Sequence, residues 1–171
     1  MKKYFYKLSL QKLVALALLV AISIVLQKFS FGSASVKVGL GFIGTVLLGR
    51  YYGPFWGGIG AGVADLLSSA ILGVAGGFFP GFTLSAILAG VIYGYFFYDQ
   101  EIKIWKIVVA VLLITVIVNT ILNTLWITMM YGQNFNAALL QRIPKELIVP
   151  WIQMVVIWLV LNVTKNVKIK G

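Results

Sequence analysis

The run YYGPFWGGIGAGVADLLSSAILGVAGGFFPGFTLSAILAGVIYGYFFY, residues 51–98, holds a single charged side chain, Asp65. A stretch this long and this apolar cannot supply the surface of a water-soluble domain. At about 20 residues per bilayer-spanning helix it accommodates two crossings. The divide is GVAGGFFPG at 73–81, where the glycines and Pro80 oppose a continuous helix. Pro54 suits a first helical position, so one crossing is expected at about 54–72 and the next at 82–98.

Outward from that core the same reading repeats. An uncharged run at 13–27 lies between Lys12 and Lys28, predicting a first crossing at about 10–27. A second, at 38–50, has an uncharged part of only about 18 Å at 1.5 Å per residue, against a hydrocarbon core of roughly 30 Å. It spans if Lys37 and Arg50 snorkel or the bilayer thins. A fifth falls at 106–129 and a sixth at 143–164, bent near Pro150. The chain of 171 residues is 61% hydrophobic and 11% charged, with a mean hydropathy of +1.00. The fold class expected is an all-α integral membrane protein of six transmembrane helices, one membrane domain over 1–171, located in the cell membrane as a multi-pass protein. No length remains for a catalytic domain outside the lipid. The basic and then apolar start is read as an uncleaved first helix, since further membrane segments follow.

Fourteen Lys and Arg against four Asp and Glu give a net charge of +10. In this setting the excess reads as topology and headgroup contact rather than nucleic-acid binding, because basic residues accumulate in cytoplasmic connections. With the N-terminus inside, Lys2, Lys3, Lys7, Lys12, Arg50, Lys103, Lys106, Lys165, Lys168 and Lys170 fall on the cytoplasmic side, and Lys28, Lys37, Arg142 and Lys145 outside. Both termini are therefore expected in the cytoplasm. The connections 28–37, 73–81 and 131–142 then face outward and are the candidate recognition loops. The chain has no Cys and no His. Disulfides, thiol chemistry, imidazole-ligated metals and the commonest neutral-pH base are thereby excluded, and no metal or cofactor site is expected.

Asp65 lies about 17 Å along its helix from Pro54, where a carboxylate is costly unless paired or facing a polar cavity. It either serves a ligand or is satisfied by helix hydroxyls and amides such as Ser68, Ser69, Asn119 or Asn123. Asn119 and Asn123 share one helix face, and Trp126 continues it. Two amides above an indole suit a planar hydrogen-bonding ligand; interhelical polar glue is the rival explanation. Phe79 and Phe82 flank Pro80-Gly81, and Thr83 opens the next helix, whose first N–H groups are free to bind a carbonyl or carboxylate. Lys37, Arg142 and Lys145 are cations available to an anionic tail, or ordinary interfacial charges. Ala17 and Ala21 form a small-xxx-small pair on the first helix that permits close helix approach.

The stretch ADLLSSAILGVAGGFFPGFTLSAILAGVIYGYFFY at 64–98, followed by NTILNTLWITMMYG at 119–132 and by Arg142, resembles the folate-specific substrate-binding (S) component of energy-coupling factor (ECF) vitamin transporters. FFPGFTLSA at 78–86 is the most specific part. The resemblance implies a passive subunit that binds folate at its outer face, catalyses nothing, and works with a transmembrane T subunit and two ATPases that use ATP. It implies docking of the T subunit at Ala17 and Ala21. This chain has no Gly-rich loop ending in Lys-Ser/Thr, consistent with ATPases on other chains. On this view Asp65, Asn119 and Asn123 meet the pterin edge, and Trp126, Phe79 and Phe82 stack on rings. Gly81 and Thr83 sit at the turn beside them, and Lys37, Arg142 and Lys145 meet the glutamate. The alternatives are an S component for thiamin, biotin or a pyrimidine precursor, and a small membrane enzyme acting on lipid. The enzyme would need clustered acids, and the four present are scattered.

Overall fold

Ser9 opens the first helix: its hydroxyl accepts from the Lys12 backbone N–H at 3.3 Å, satisfying one of the donors a helix start leaves free. The computed structural model describes residues 7–32, 37–73 and 78–167. α1 spans Leu10–Lys28. Two short antiparallel strands follow, β1 at Ser30–Gly32 and β2 at Lys37–Gly39, with Phe31 opposite Val38. Residues 38 and 39, expected at the start of a second crossing, thus belong to a hairpin, closed by the Leu40 N–H donating to the Phe29 carbonyl at 2.9 Å.

α2 runs over Gly41–Leu72, but its winding breaks at Gly53, whose φ of 76° and ψ of −174° lie outside helical space. That φ costs a residue without Cβ little, and Pro54 then restarts the helix without needing a donor. The sequence-based boundary at Pro54 is therefore a physical one. α3 spans Pro80–Phe97, starting two residues before the position expected, because Pro80 itself occupies the first turn. α4 covers Ile104–Leu113, and the same axis continues through a π-helical segment at Ile114–Leu122 into α5, Asn123–Tyr131. Within the π segment the Thr120 hydroxyl donates to the carbonyl of Thr115, five residues back, at 2.8 Å. α6 covers Phe135–Thr164. It starts well before residue 143, so most of the expected outer loop at 131–142 is helix. The local cause is legible afterwards: the Asn134 side chain accepts from the Asn136 N–H at 2.9 Å, and Ala137, Ala138, Leu139, Leu140 and Gln141 are strong helix formers.

Among the described residues, four helical stretches are each long and apolar enough to cross a membrane: Leu10–Lys28, Pro80–Phe97, Ile104–Tyr131 and Phe135–Val163. α2 and α3 form the closest pair. A Cβ on Gly94 would overlap the Gly53 carbonyl carbon and the Pro54 nitrogen, so α3 passes directly over the break in α2. One buried cluster joins Val46, Tyr93, Phe97, Ile107, Val111 and Ile157; a second joins Leu16, Val20, Leu48, Tyr52 and Ala61 beneath α1.

Four hydrogen bonds gather one end of the bundle. Tyr52 Oη donates to the Lys12 carbonyl at 2.8 Å and Tyr51 Oη to the Thr164 carbonyl at 3.1 Å. Arg50 Nη1 donates to the carbonyls of Phe97 and Gln100 at 2.5 and 2.6 Å. The start of α1, the break in α2, the end of α3 and the end of α6 therefore share one face. The turns at Lys28, Gly73, Pro80 and Tyr131 lie at the opposite one, around the cavity described next.

Candidate functional site

Pro80 and Gly81 turn the chain into α3 and carry Phe79, Phe82 and Thr83 onto the second arm of α2. There Thr83 Oγ1 donates to Asp65 Oδ2 at 2.8 Å. Thr83 is buried and Asp65 half-buried. The carboxylate thus has one fixed partner and keeps further acceptor positions open. Its partner is a residue singled out in the sequence, not the serines or amides weighed there.

A cavity of about 600 Å³ opens at this end of the bundle, lined by Asp65, Ser68, Ser69, Phe78, Phe79 and Phe82, with Gln27 and Lys28 from α1 and Ile127, Met130 and Tyr131 from α5. A second chamber of about 230 Å³ lies deeper, lined by Phe42, Thr45, Asp65, Phe82, Ser85, Tyr93, Asn119, Asn123 and Gln153 among others. Asp65 and Phe82 line both, so the two spaces meet at that pair. The outer part is aromatic with a lysine at its rim. Among the described residues, the inner part offers an acid and three amides and no cation in its wall.

Asn123 Nδ2 donates to Asn119 Oδ1 at 3.4 Å, so the two amides do share a face across the end of the π segment. Asn123 Oδ1 is buried without a partner. Trp126 Nε1 donates to Ser85 Oγ at 3.0 Å, and its ring lies 5.9 Å from that of Phe79, which in turn meets Phe82 edge-on at 6.2 Å. Gly81 is required beneath this group: a Cβ there would overlap the Trp126 indole and lie 2.7 Å from Phe79. Asp65, Phe79, Phe82, Asn119 and Asn123 therefore line the cavities, while Gly81, Thr83 and Trp126 hold the wall behind them.

The proposed cations sit differently. Arg142 Nη2 donates to the Asn119 carbonyl and to Glu146 Oε1, both at 3.2 Å, and lines neither cavity. Lys145 is half-buried beside Glu146 and also lines neither. Lys37 has its backbone in β2; its side chain lies outside the described residues, as do residues 33–36 and 74–77 of the outer connections. Lys28, counted in the sequence only as an outer charge, is the cation that lines the outer cavity among the described residues. Gln153 was also missed, although it stands as a lone polar residue in the apolar run 147–161.

Ala17 and Ala21 are exposed on α1. With Leu13, Val20, Ile59 and Val63 they line an almost wholly apolar groove of about 330 Å³ between α1 and α2.

Comparison with known proteins agrees with this architecture. Residues 11–164 match the family described as ECF transporter, substrate-specific component. The chain is 35% identical over 147 residues to the folate transporter FolT of Clostridium novyi, covering 85% of each protein. It is 34% identical over 165 residues to FolT of Leuconostoc mesenteroides, covering 92% of this chain and 88% of that one. A crystal structure of FolT bound with folic acid superposes with a TM-score of 0.82 at 37% identity, covering 90% of this chain and 94% of that chain. The S component of a bacterial ECF transporter superposes at 0.68 with 22% identity and shares the fold. The chain is thus a multi-pass membrane protein, and it belongs to the substrate-specific components of ECF transporters.

Proposed function

We propose that this chain is the folate-binding subunit of an ECF-type transporter, taking folate from outside the cell and delivering it once docked on a T subunit and two ATPases. The observation that carries the reading is a pair of adjacent cavities that share Asp65 and Phe82 in their walls. Together they are of the size that takes a small organic ligand, mostly apolar with a few placed polar groups. The inner wall of carboxylate and amides suits the hydrogen-bonding edge of a pterin. Phe79 and Phe82 suit its aromatic rings and linker, and Lys28 suits the anionic glutamate. The FolT relatives, and the related structure with folic acid bound, support the choice of vitamin.

In this reading the chain crosses the membrane six times, the two arms of α2 counting separately, with both termini cytoplasmic. Lys12, Arg50, Lys103, Lys106 and Lys165 then sit toward the end that holds the start of α1 and the end of α6, as the positive-inside bias requires. The groove at Ala17 and Ala21 receives the T subunit, and ATP hydrolysis on the partner subunits topples the loaded bundle to expose the site inward. The chain itself catalyses nothing and carries no cofactor.

Titration of detergent-purified protein with folic acid, thiamin and biotin tests the reading. Saturable tight binding of folic acid alone is expected. Binding of another vitamin in its place would overturn it.

A further inference from the structure

Gln153 reaches the inner chamber from α6, the helix that contributes nothing to the outer cavity. It is only 9% exposed, and its Oε1 is buried without a hydrogen-bond partner. Across the same chamber Asn123 Oδ1 is in the same condition. Buried carbonyl oxygens are almost always paired, so two unpaired ones around one cavity mark a place where a partner arrives from outside the chain. The carboxylate of Asp65, with Thr83 as its donor, adds further acceptor positions to the two unpaired oxygens of this wall. A ligand satisfies such a wall by presenting N–H or NH₂ groups, and an acceptor-only ring edge would be rejected.

We infer that Gln153 is a specificity-determining contact, its amide oxygen accepting a hydrogen bond from the donor-bearing edge of the ligand's heterocycle. Asn123 accepts a second from the same edge. This rests on the folate reading above, in which that edge is the aminopyrimidinone of the pterin. The same contact makes α6 a wall of the loaded site, whereas the described residues of the outer cavity come from α1, α2, α3, α5 and the connection between α2 and α3.

The test compares wild type, Gln153→Met and Gln153→Glu in detergent, with folic acid and pteroic acid as probes and unliganded melting temperature as the fold control. Methionine fills the same space without an acceptor, so affinity for both probes should fall at least tenfold while the unliganded melting temperature changes little. Glutamate keeps an acceptor in place and should bind folic acid within threefold of wild type. Folded Gln153→Met binding both probes within twofold of wild type would overturn the inference. If that variant does not fold, a folded Gln153→Glu that loses more than tenfold overturns it instead. Failure of the wild type to bind folic acid at all is a separate outcome, and it removes the folate reading.

Discussion

The hydroxyl of Thr83 donates to the carboxylate of Asp65 at 2.8 Å, fastening the first turn of α3 to the second arm of α2 at the boundary between the two cavities. One bond therefore positions the acid and also braces the turn that carries Phe79 and Phe82. Asp65→Asn keeps the shape and loses the charge, and should weaken folic acid binding by about 1 to 3 kcal/mol, the usual scale for disrupting a buried polar contact. Calorimetric titration measures it; unchanged affinity would remove Asp65 from the site. Thr83→Val should lower affinity less, since the carboxylate remains and only its orientation loosens.

Gly81→Ala tests the packing behind the aromatic wall. The added methyl overlaps the Trp126 indole, which must shift and strain its bond to Ser85. Overpacking of this kind costs about 1 to 3 kcal/mol. Folic acid binding should fall with it, whereas Gly132→Ala, with open space around it but a φ of 64°, should cost a little stability and leave binding alone.

The assignment of the glutamate tail is open to a direct contrast. Lys28→Met should weaken folic acid binding and leave pteroic acid, which lacks the glutamate, within twofold of wild type. Arg142→Met should lower thermal stability by breaking a pair whose partner, Glu146, would be left largely buried with only Lys145 beside it. Equal losses for both probes in Lys28→Met would refute the lysine's role.

Docking and binding should separate. Ala17→Trp combined with Ala21→Trp fills the groove on α1 and should abolish assembly with the T subunit and cellular folate uptake, yet the purified chain should still bind folic acid. Loss of binding in the purified double variant would contradict a division of labour between the two faces.

Much of this was legible in the residues. Pro54 marked a helix start because a residue without an N–H is harmless there, Pro80 was read only as part of the break, and Asp65 declared itself because charge is rare in lipid. Asn119 and Asn123 were paired by spacing alone. What stayed hidden depended on partners distant in sequence. Thr83 could not be matched to Asp65, nor Trp126 to Ser85, before α2, α3 and α5 were packed. Arg142 read as a free cation because its carbonyl acceptor lies 23 positions away, across a helix turn the sequence does not reveal. The helix over 135–142 was read as loop because charged residues were taken to bound the crossings, which ended the outer connection at Arg142. Gln153 gave a signal, one amide in an apolar stretch, that length and charge counting passes over.

The π segment at Ile114–Leu122 has a consequence for how this chain tolerates length changes. Its wide turn absorbs one residue more than an ordinary helix would over the same rise. Removing a single residue there would relax the turn to regular winding and leave everything after it close to its present orientation. The same deletion in the regular winding between Asn123 and Trp126 has no such slack and would turn the indole by about 100° away from Ser85, although no side chain in the wall had been replaced. The π segment is thus the stretch of this helix that can give up a residue and still keep the angular setting of the ligand wall.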